Sequence, residues 1–227
     1  MVNIAIDGPV GAGKSSVARE CAKRLGFIYV DTGALYRTCA LFCVRNETEI
    51  SPENENAVSD LLNNRLELDI KLIDGVQHVY MNGEDVSEAI REPQISMLAS
   101  SVSALSSVRK FLLDKQRGLA EGRNVIMDGR DIGTVILPDA DIKIFLTASP
   151  EVRAKRRYDE LKAKGSSTTF EEVLEDVNKR DYNDTHRKEA PLAQAPDAVL
   201  ADTSELDFEQ TVEKITGLVK SRTGYDK

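Results

Sequence analysis

The sequence predicts an α/β protein, a parallel sheet with helices on both faces, and three observations predict it. Short apolar runs rich in β-branched residues, at 2–6, 27–30, 124–127, 142–146 and 198–200, read as five strands buried on both faces. Segments with helical spacing of apolar residues separate them, as crossovers between parallel strands require. Between the first strand and the first helix stands Gly8-Pro9-Val10-Gly11-Ala12-Gly13-Lys14-Ser15, a complete G-x-x-x-x-G-K-[ST] pattern in the strand-loop-helix context that gives the pattern meaning.

Gly8, Gly11 and Gly13 have no Cβ, so the loop can curl with its N–H groups inward, and the helix behind it adds the positive end of its dipole. Such a loop cradles phosphates. Lys14 is expected to reach the β- and γ-phosphates, Ser15 to ligate a bridging Mg²⁺, and Ser16 to cap or assist. A nucleoside triphosphate site follows; the motif leaves open what the phosphate is spent on.

At 227 residues the chain suits one α/β domain with insertions. A net charge of −8 excludes the broad basic face of a nucleic-acid binder, so an anionic ligand must be met by local arginines and lysines. No apolar run approaches the length of a membrane span, and no basic-then-apolar segment precedes the first strand, so a cytoplasmic protein is expected. The three cysteines do not make a disulfide framework. Cys39 and Cys43, with no His or further Cys beside them, read as small buried side chains.

Taken in order, Val17, Cys21 and Leu25 mark the buried face of the first helix. The strand at 27–30 delivers Asp31-Thr32-Gly33 to the carboxyl edge of the sheet, where open α/β sheets bind ligands, and Tyr36 and Arg37 fall in the first turn of the helix that follows. Ser51-Pro52-Glu53 reads as the N-cap, first position and first-turn acid of a helix carrying Val58, Leu61 and Leu62. Alternation over 66–70 and again over 78–82, with Asp74-Gly75 between, predicts an inserted antiparallel hairpin with one wet face, a flap. Residues 92–116 read as helix, with Ser100, Ser101, Ser103, Ser106 and Ser107 in the first part and Arg109 later. Propensity does not favour so many serines, so their hydroxyls pack closely or face a polar ligand.

The strand at 124–127 delivers Asp128-Gly129-Arg130-Asp131-Ile132-Gly133. An acid ending an apolar strand in a phosphate-loop protein is the expected second Mg²⁺-organising group, here Asp128. From residue 151 to 189, ten Lys or Arg accompany ten Asp or Glu. Arg153, Arg156 and Arg157 share one helical face, and Arg180, Asp184 and Arg187 another; with Gly165-Ser166-Ser167 between and a Thr169–Glu172 capping box, this is a helical hairpin placed as a lid. Asn178-Lys179-Arg180-Asp181 matches the N-K-x-D string that reads guanine, but it follows a charged amphipathic helix rather than an apolar strand, and the match is set aside. A last helix with Phe208, Val212, Ile215 and Val219 packs on the sheet, and 224–227 reads as a frayed tail.

In their order, IAIDGPVGAGKSS, DTGALYR, DGRDIGTVILPDADIKIFL and RDYNDTHRKEAPL resemble the bacterial-type cytidylate kinases, the (d)CMP kinases of the nucleoside monophosphate kinase group, over essentially the whole chain. The resemblance implies transfer of the γ-phosphoryl group of ATP, with Mg²⁺, to CMP or dCMP. It implies a P-loop NTPase fold with a five-stranded parallel sheet in one domain, 1–227: a core of 1–36, 96–150 and 190–227, a monophosphate-binding insertion at about 37–95 and a lid at about 151–189. Gly8, Pro9, Val10, Gly11, Ala12, Gly13, Lys14, Ser15 and Ser16 would hold ATP. Arg37, Arg130 and Arg187 would hold the acceptor phosphate, Arg180 and Asp184 its ribose, and Ser100, Arg109 and Asp131 the cytosine edge, with Thr32 and Tyr36 lining the same pocket. Lys14, Asp128, Arg130 and a lid arginine, Arg153 or Arg157, form the implied catalytic set, with Ser15 and Asp128 on the metal. Such chemistry brings two anions into line and neutralises their charge, which planar, permanently charged guanidinium groups do well. Expected partners are ATP and CMP or dCMP, with no nucleic acid and no membrane, and the expected state is a monomer.

Overall fold

In the computed structural model, which describes residues 1–73 and 76–225, the chain opens with β1 (Asn3–Asp7), α1 (Lys14–Leu25), β2 (Ile28–Asp31) and α2 (Thr32–Arg45). There follow α3 (Glu55–Arg65), β3 (Leu68–Ile73), β4 (Val76–Met81), β5 (Glu84–Asp85), α4 (Pro93–Ser103) and α5 (Ser106–Gly118). Then come β6 (Val125–Gly129), β7 (Ile142–Thr147), α6 (Pro150–Ala163), α7 (Phe170–His186), β8 (Val199–Asp202) and α8 (Phe208–Thr223). The five strands read from the apolar runs form one sheet in the order β2-β6-β1-β7-β8, with β1 paired in parallel to both β6 and β7. Ile4, Ala5, Ile6, Val125, Ile126 and Met127 have no exposed surface, as strands covered on both faces require.

By its contacts the chain divides into two compact units, Met1–Ile28 with Arg123–Lys227, and Tyr29–Gly122. In the first, α1 buries Val17, Cys21 and Leu25, and α8 buries Val212, Ile215 and Val219. The helical hairpin forms as expected: Thr169 and Glu172 cap α7 reciprocally, and Ala154, Val173 and Val177 make a small core between α6 and α7. Asn178 to Asp181 lie within α7, not after a strand.

The second unit has its own core, from Leu35, Cys39 and Phe42 of α2 through Leu62 of α3 to Leu112 of α5. Its sheet has a third strand, β5, whose two residues are too short to leave a pattern. Asp74-Gly75, the expected turn of the hairpin, lies outside the described residues, as do 226–227 of the expected tail. Ser51 opens a single 3₁₀ turn, Pro52–Asn54, before α3, and its side chain makes no capping bond. The helix expected over 92–116 is two helices. Leu105 is extended (φ −80°, ψ 122°) and breaks them apart, and the Glu55 carboxylate caps the second by accepting from Ser107 N (2.7 Å) and Ser106 Oγ (2.9 Å). The serine run is therefore the end of α4 and the start of α5, where hydroxyls compete least with the helix.

Cys21, Cys39 and Cys43 are all buried free thiols, matching the reading of Cys39 and Cys43 as packing residues.

Candidate active site

In the first unit the loop between β1 and α1 curls through three glycines at positive φ: Gly8 (151°), Gly11 (74°) and Gly13 (84°). Gly8 is required sterically, since a Cβ there would stand 2.0 Å from the Leu146 carbonyl oxygen of β7. Lys14 begins α1 and folds back, its Nζ donating to the Pro9 carbonyl at 2.7 Å. Ser16 lies exposed in the first turn of α1.

Beside the loop, Ser15 Oγ donates to Asp128 Oδ2 at 2.7 Å, joining the start of α1 to the end of β6. A hydroxyl and a carboxylate are hard oxygen donors. The pair suits Mg²⁺, which takes one or two protein oxygens and completes its shell with water and phosphate.

Beyond Asp128 the chain leaves β6 through Gly129, Arg130 and Asp131 into one π-helical turn, Ile132–Ile136. Arg130 Nε donates to Asp184 Oδ2 of α7 at 2.6 Å, and Arg187 Nη2, just past α7, donates to Asp131 Oδ1 at 3.2 Å. Of the two arginines expected for the acceptor phosphate in this unit, Arg130 is thus oriented by a carboxylate, and Arg187 by Asp131 together with the Ala190 carbonyl, which accepts from its Nε at 2.8 Å. Burial works against the Arg130 charge, but Asp184, then Asp128 and Asp181, outweigh it and raise its pKa.

Asp7, the last residue of β1, was not among the expected site residues. Its Oδ1 accepts from Ile132 N and its Oδ2 from Gly133 N, both at 2.7 Å. Burial pushes its pKa up to about 6, against those two N–H groups and Lys14. Lys14 shifts the other way: burial, then the Arg130 charge, pushes it down to about 7 against the pull of Asp128, Asp184 and Asp7. An acid ending an apolar strand immediately before the loop was the signal for Asp7 in the sequence.

The arginines of the expected lid do not share one environment. Arg153 is buried, donating to the carbonyls of Ala148 (2.8 Å) and Val10 (2.9 Å) and to Asp181 Oδ2 (2.6 Å). Arg156 donates to the Thr203 and Leu206 carbonyls, and Arg157 makes an exposed pair with Glu160. Arg180 pairs with Asp176.

In the second unit, Asp31 accepts from Ala34 N at 3.0 Å, capping α2, and from Arg37 Nη2 at 2.7 Å. Arg37 Nε is buried with no hydrogen-bond partner among the described residues. Gln77 of β4 accepts from Asp31 N (2.8 Å) and donates to Asp31 O (3.2 Å), so the expected flap is tied to this turn. Thr32 and Tyr36 are buried, and the Arg109 guanidinium stands 5.7 Å from the centre of the Tyr36 ring. The half-buried Ser100 gives its carbonyl to Ser103 Oγ.

Residues 4–221 match the family model described as cytidylate kinase. The chain belongs to the cytidylate kinase family. Among its cytidylate kinase relatives, one from Caldanaerobacter subterraneus subsp. tengcongensis is 52% identical over 98% of this chain and 96% of its own length. The cytidylate kinase of Carboxydothermus hydrogenoformans is 50% identical over 96% and 97%, and that of Caldicellulosiruptor bescii 48% identical over 96% and 95%. The fold of this cytidylate kinase family member is shared more widely. An uncharacterised protein of known crystal structure from Eubacterium ventriosum superposes with a TM-score of 0.53 at 13% identity, over 98% of this chain and all of its own.

Proposed function

We propose that this chain transfers the γ-phosphoryl group of ATP to CMP and dCMP, giving ADP and the nucleoside diphosphate. The observation that carries the reading is the assembly around the phosphate loop: Lys14 folded into it, Ser15 bonded to Asp128, and Arg130 held at the end of the same strand turn by Asp184. Phosphoryl transfer asks little covalent chemistry of a protein; it asks for positioning and charge neutralisation. The loop N–H groups and Lys14 would bind the β- and γ-phosphates, and Ser15 and Asp128 would hold Mg²⁺. That ion, when bound, shares the negative charge of those phosphates.

Arg37, Arg130 and Arg187 are proposed for the acceptor phosphate, Arg180 and Asp184 for the ribose, and Ser100, Arg109 and Asp131 for the base, with Thr32 and Tyr36 beside them. The orphaned Nε of Arg37 supports its place in this set, because a buried guanidinium nitrogen calls for an acceptor. Of the two lid arginines, Arg153 is the one bonded to the phosphate loop, through Val10, and we assign it rather than Arg157 to the transferring group. Residues 37–95 are proposed as the monophosphate-binding insertion and 151–189 as the lid, whose closure would keep water from the phosphoryl group. Among the described residues no helix is long and apolar enough to cross a membrane. We propose a cytoplasmic monomer.

The test is coupled ADP release with Mg-ATP against CMP, dCMP, UMP, AMP and GMP at matched concentrations. Dominant turnover of CMP and dCMP is the expected result. Dominance of another acceptor would withdraw the roles of Ser100, Arg109 and Asp131; silence with all five would defeat the reading.

A further inference from the structure

Asp7 is an expensive residue to keep. The residue is 5% exposed at the end of β1, after the fully buried Ile4, Ala5 and Ile6, and a carboxylate there resists ionisation. What it gains is a fixed pair of contacts. Ile132 N and Gly133 N are the first two N–H groups of the π-helical turn, which has no internal acceptor for them, and each meets its own oxygen of Asp7 at 2.7 Å. In register, Asp7 stands opposite Gly129, the residue before Arg130. The turn is closed behind by Val135 N and Ile136 N, which both donate to the Asp131 carbonyl. Lys143 also packs on Gly133, where an added Cβ would lie 3.1 Å from Lys143 Cδ and 3.3 Å from Asp7 Oδ2. Arg130 and Asp131 therefore lead directly into a turn whose first two residues are anchored to β1 by this carboxylate.

We propose that Asp7 is a positioning residue for the acceptor nucleotide: it fixes the turn that aims Arg130 and Asp131, and it does so independently of ATP binding. The proposal rests on the CMP reading above. Two adjacent N–H groups need two acceptors on one side chain. An asparagine supplies one acceptor and turns an amide N–H against the other backbone N–H, so Asp7→Asn keeps the shape and loses the anchor.

The experiment compares wild type, Asp7→Asn, Arg130→Ala and the double variant, with kcat and KM for CMP at saturating Mg-ATP and the Kd of ATP from calorimetry. Asp7→Asn is expected to lower kcat/KM for CMP by about tenfold or more, the loss of one charge-assisted hydrogen bond, with ATP affinity within about twofold. Added to Arg130→Ala it should cost less than about twofold further, because both changes remove the same aim. A parallel fall in ATP affinity would assign Asp7 to Lys14 instead, and additive losses would make it merely structural; either overturns the proposal. If Asp7→Asn does not fold, Gly133→Ala crowds the same contact with the carboxylate retained, and the same split between CMP and ATP is expected. Wild-type turnover of CMP in the same assay tests the underlying reading separately, so an effect missing from the variants alone counts against Asp7 only.

Discussion

At the level of single residues, two buried charges of opposite sign set how the nucleotide-free site responds to pH. Lys14 falls to about 7 from an ordinary 10.5, so between those values the unfolded chain holds a proton the folded chain has lost, and stability rises with pH across that window. Asp7 rises to about 6 from 3.8, so between those values the folded chain holds the extra proton, and stability falls as pH rises. Both costs are fullest between the two shifted values. Lys14→Met should therefore raise the melting temperature of the nucleotide-free protein at about pH 6.5, with a smaller gain at about pH 9; an equal gain at both would contradict a buried lysine charge. Phosphates favour the charged lysine, so ATP binding above neutral pH should take up protons, up to about one per site. Calorimetry in two buffers of different ionisation enthalpy reads this directly, and Lys14→Met should abolish the difference. Lys14 and Ser15 were legible because a spaced motif carries them, and Asp128 because it ends an apolar strand. The contacts of Asp7 were not, since its partners lie 125 and 126 positions away and no local pattern encodes them. Nor was the burial of Arg153, whose carbonyl partners come from a loop more than a hundred residues earlier and from the end of β7.

Among the elements, the strand-loop-helix at the amino end is the part most rigidly dictated by backbone. Gly8→Ala would put a carbon 2.0 Å from a carbonyl oxygen of β7, and only backbone movement relieves that. It should weaken ATP binding by about tenfold or more, measured by calorimetry, since the curled N–H groups lose their common centre. The hairpin of α6 and α7, proposed as the lid, is stabilised locally instead. Thr169→Ala removes one half of the α7 capping box and should cost about 1 kcal/mol in denaturant unfolding, without affecting ATP affinity. Periodicity found every long helix and every strand of the parallel sheet. It ran α4 and α5 together because Ala104 and Leu105 look helical, and the break depends on Glu55 from α3. The π-helical turn after β6 escaped because its geometry is imposed by Asp7 and by the Asp131 carbonyl, not by the preferences of Ile132 to Ile136.

For the molecule as a whole, Arg130, Asp131, Arg180, Asp184 and Arg187, all proposed for CMP, belong to the first compact unit. Hydrogen exchange should accordingly slow around residues 128–133 on adding CMP; unchanged exchange there would withdraw the roles of Arg130 and Asp131. The net charge of −8 announced this economy, since a chain so acidic gathers its cations where anions must be held. The order of motifs made the fold legible from end to end, whereas the ion pairs that orient Arg130 and Arg187 had to await the tertiary structure. The three buried thiols have a use of their own. Burial raises Cys21 to about 12 and Cys43 to about 11, and raises Cys39 as well, so thiolate is scarce while the chain is folded. Cys21 belongs to one unit, and Cys39 and Cys43 to the other. Alkylation followed by mass spectrometry thus provides two independent clocks in one chain, each timing the transient opening of its own unit, and each able to reveal which nucleotide slows it.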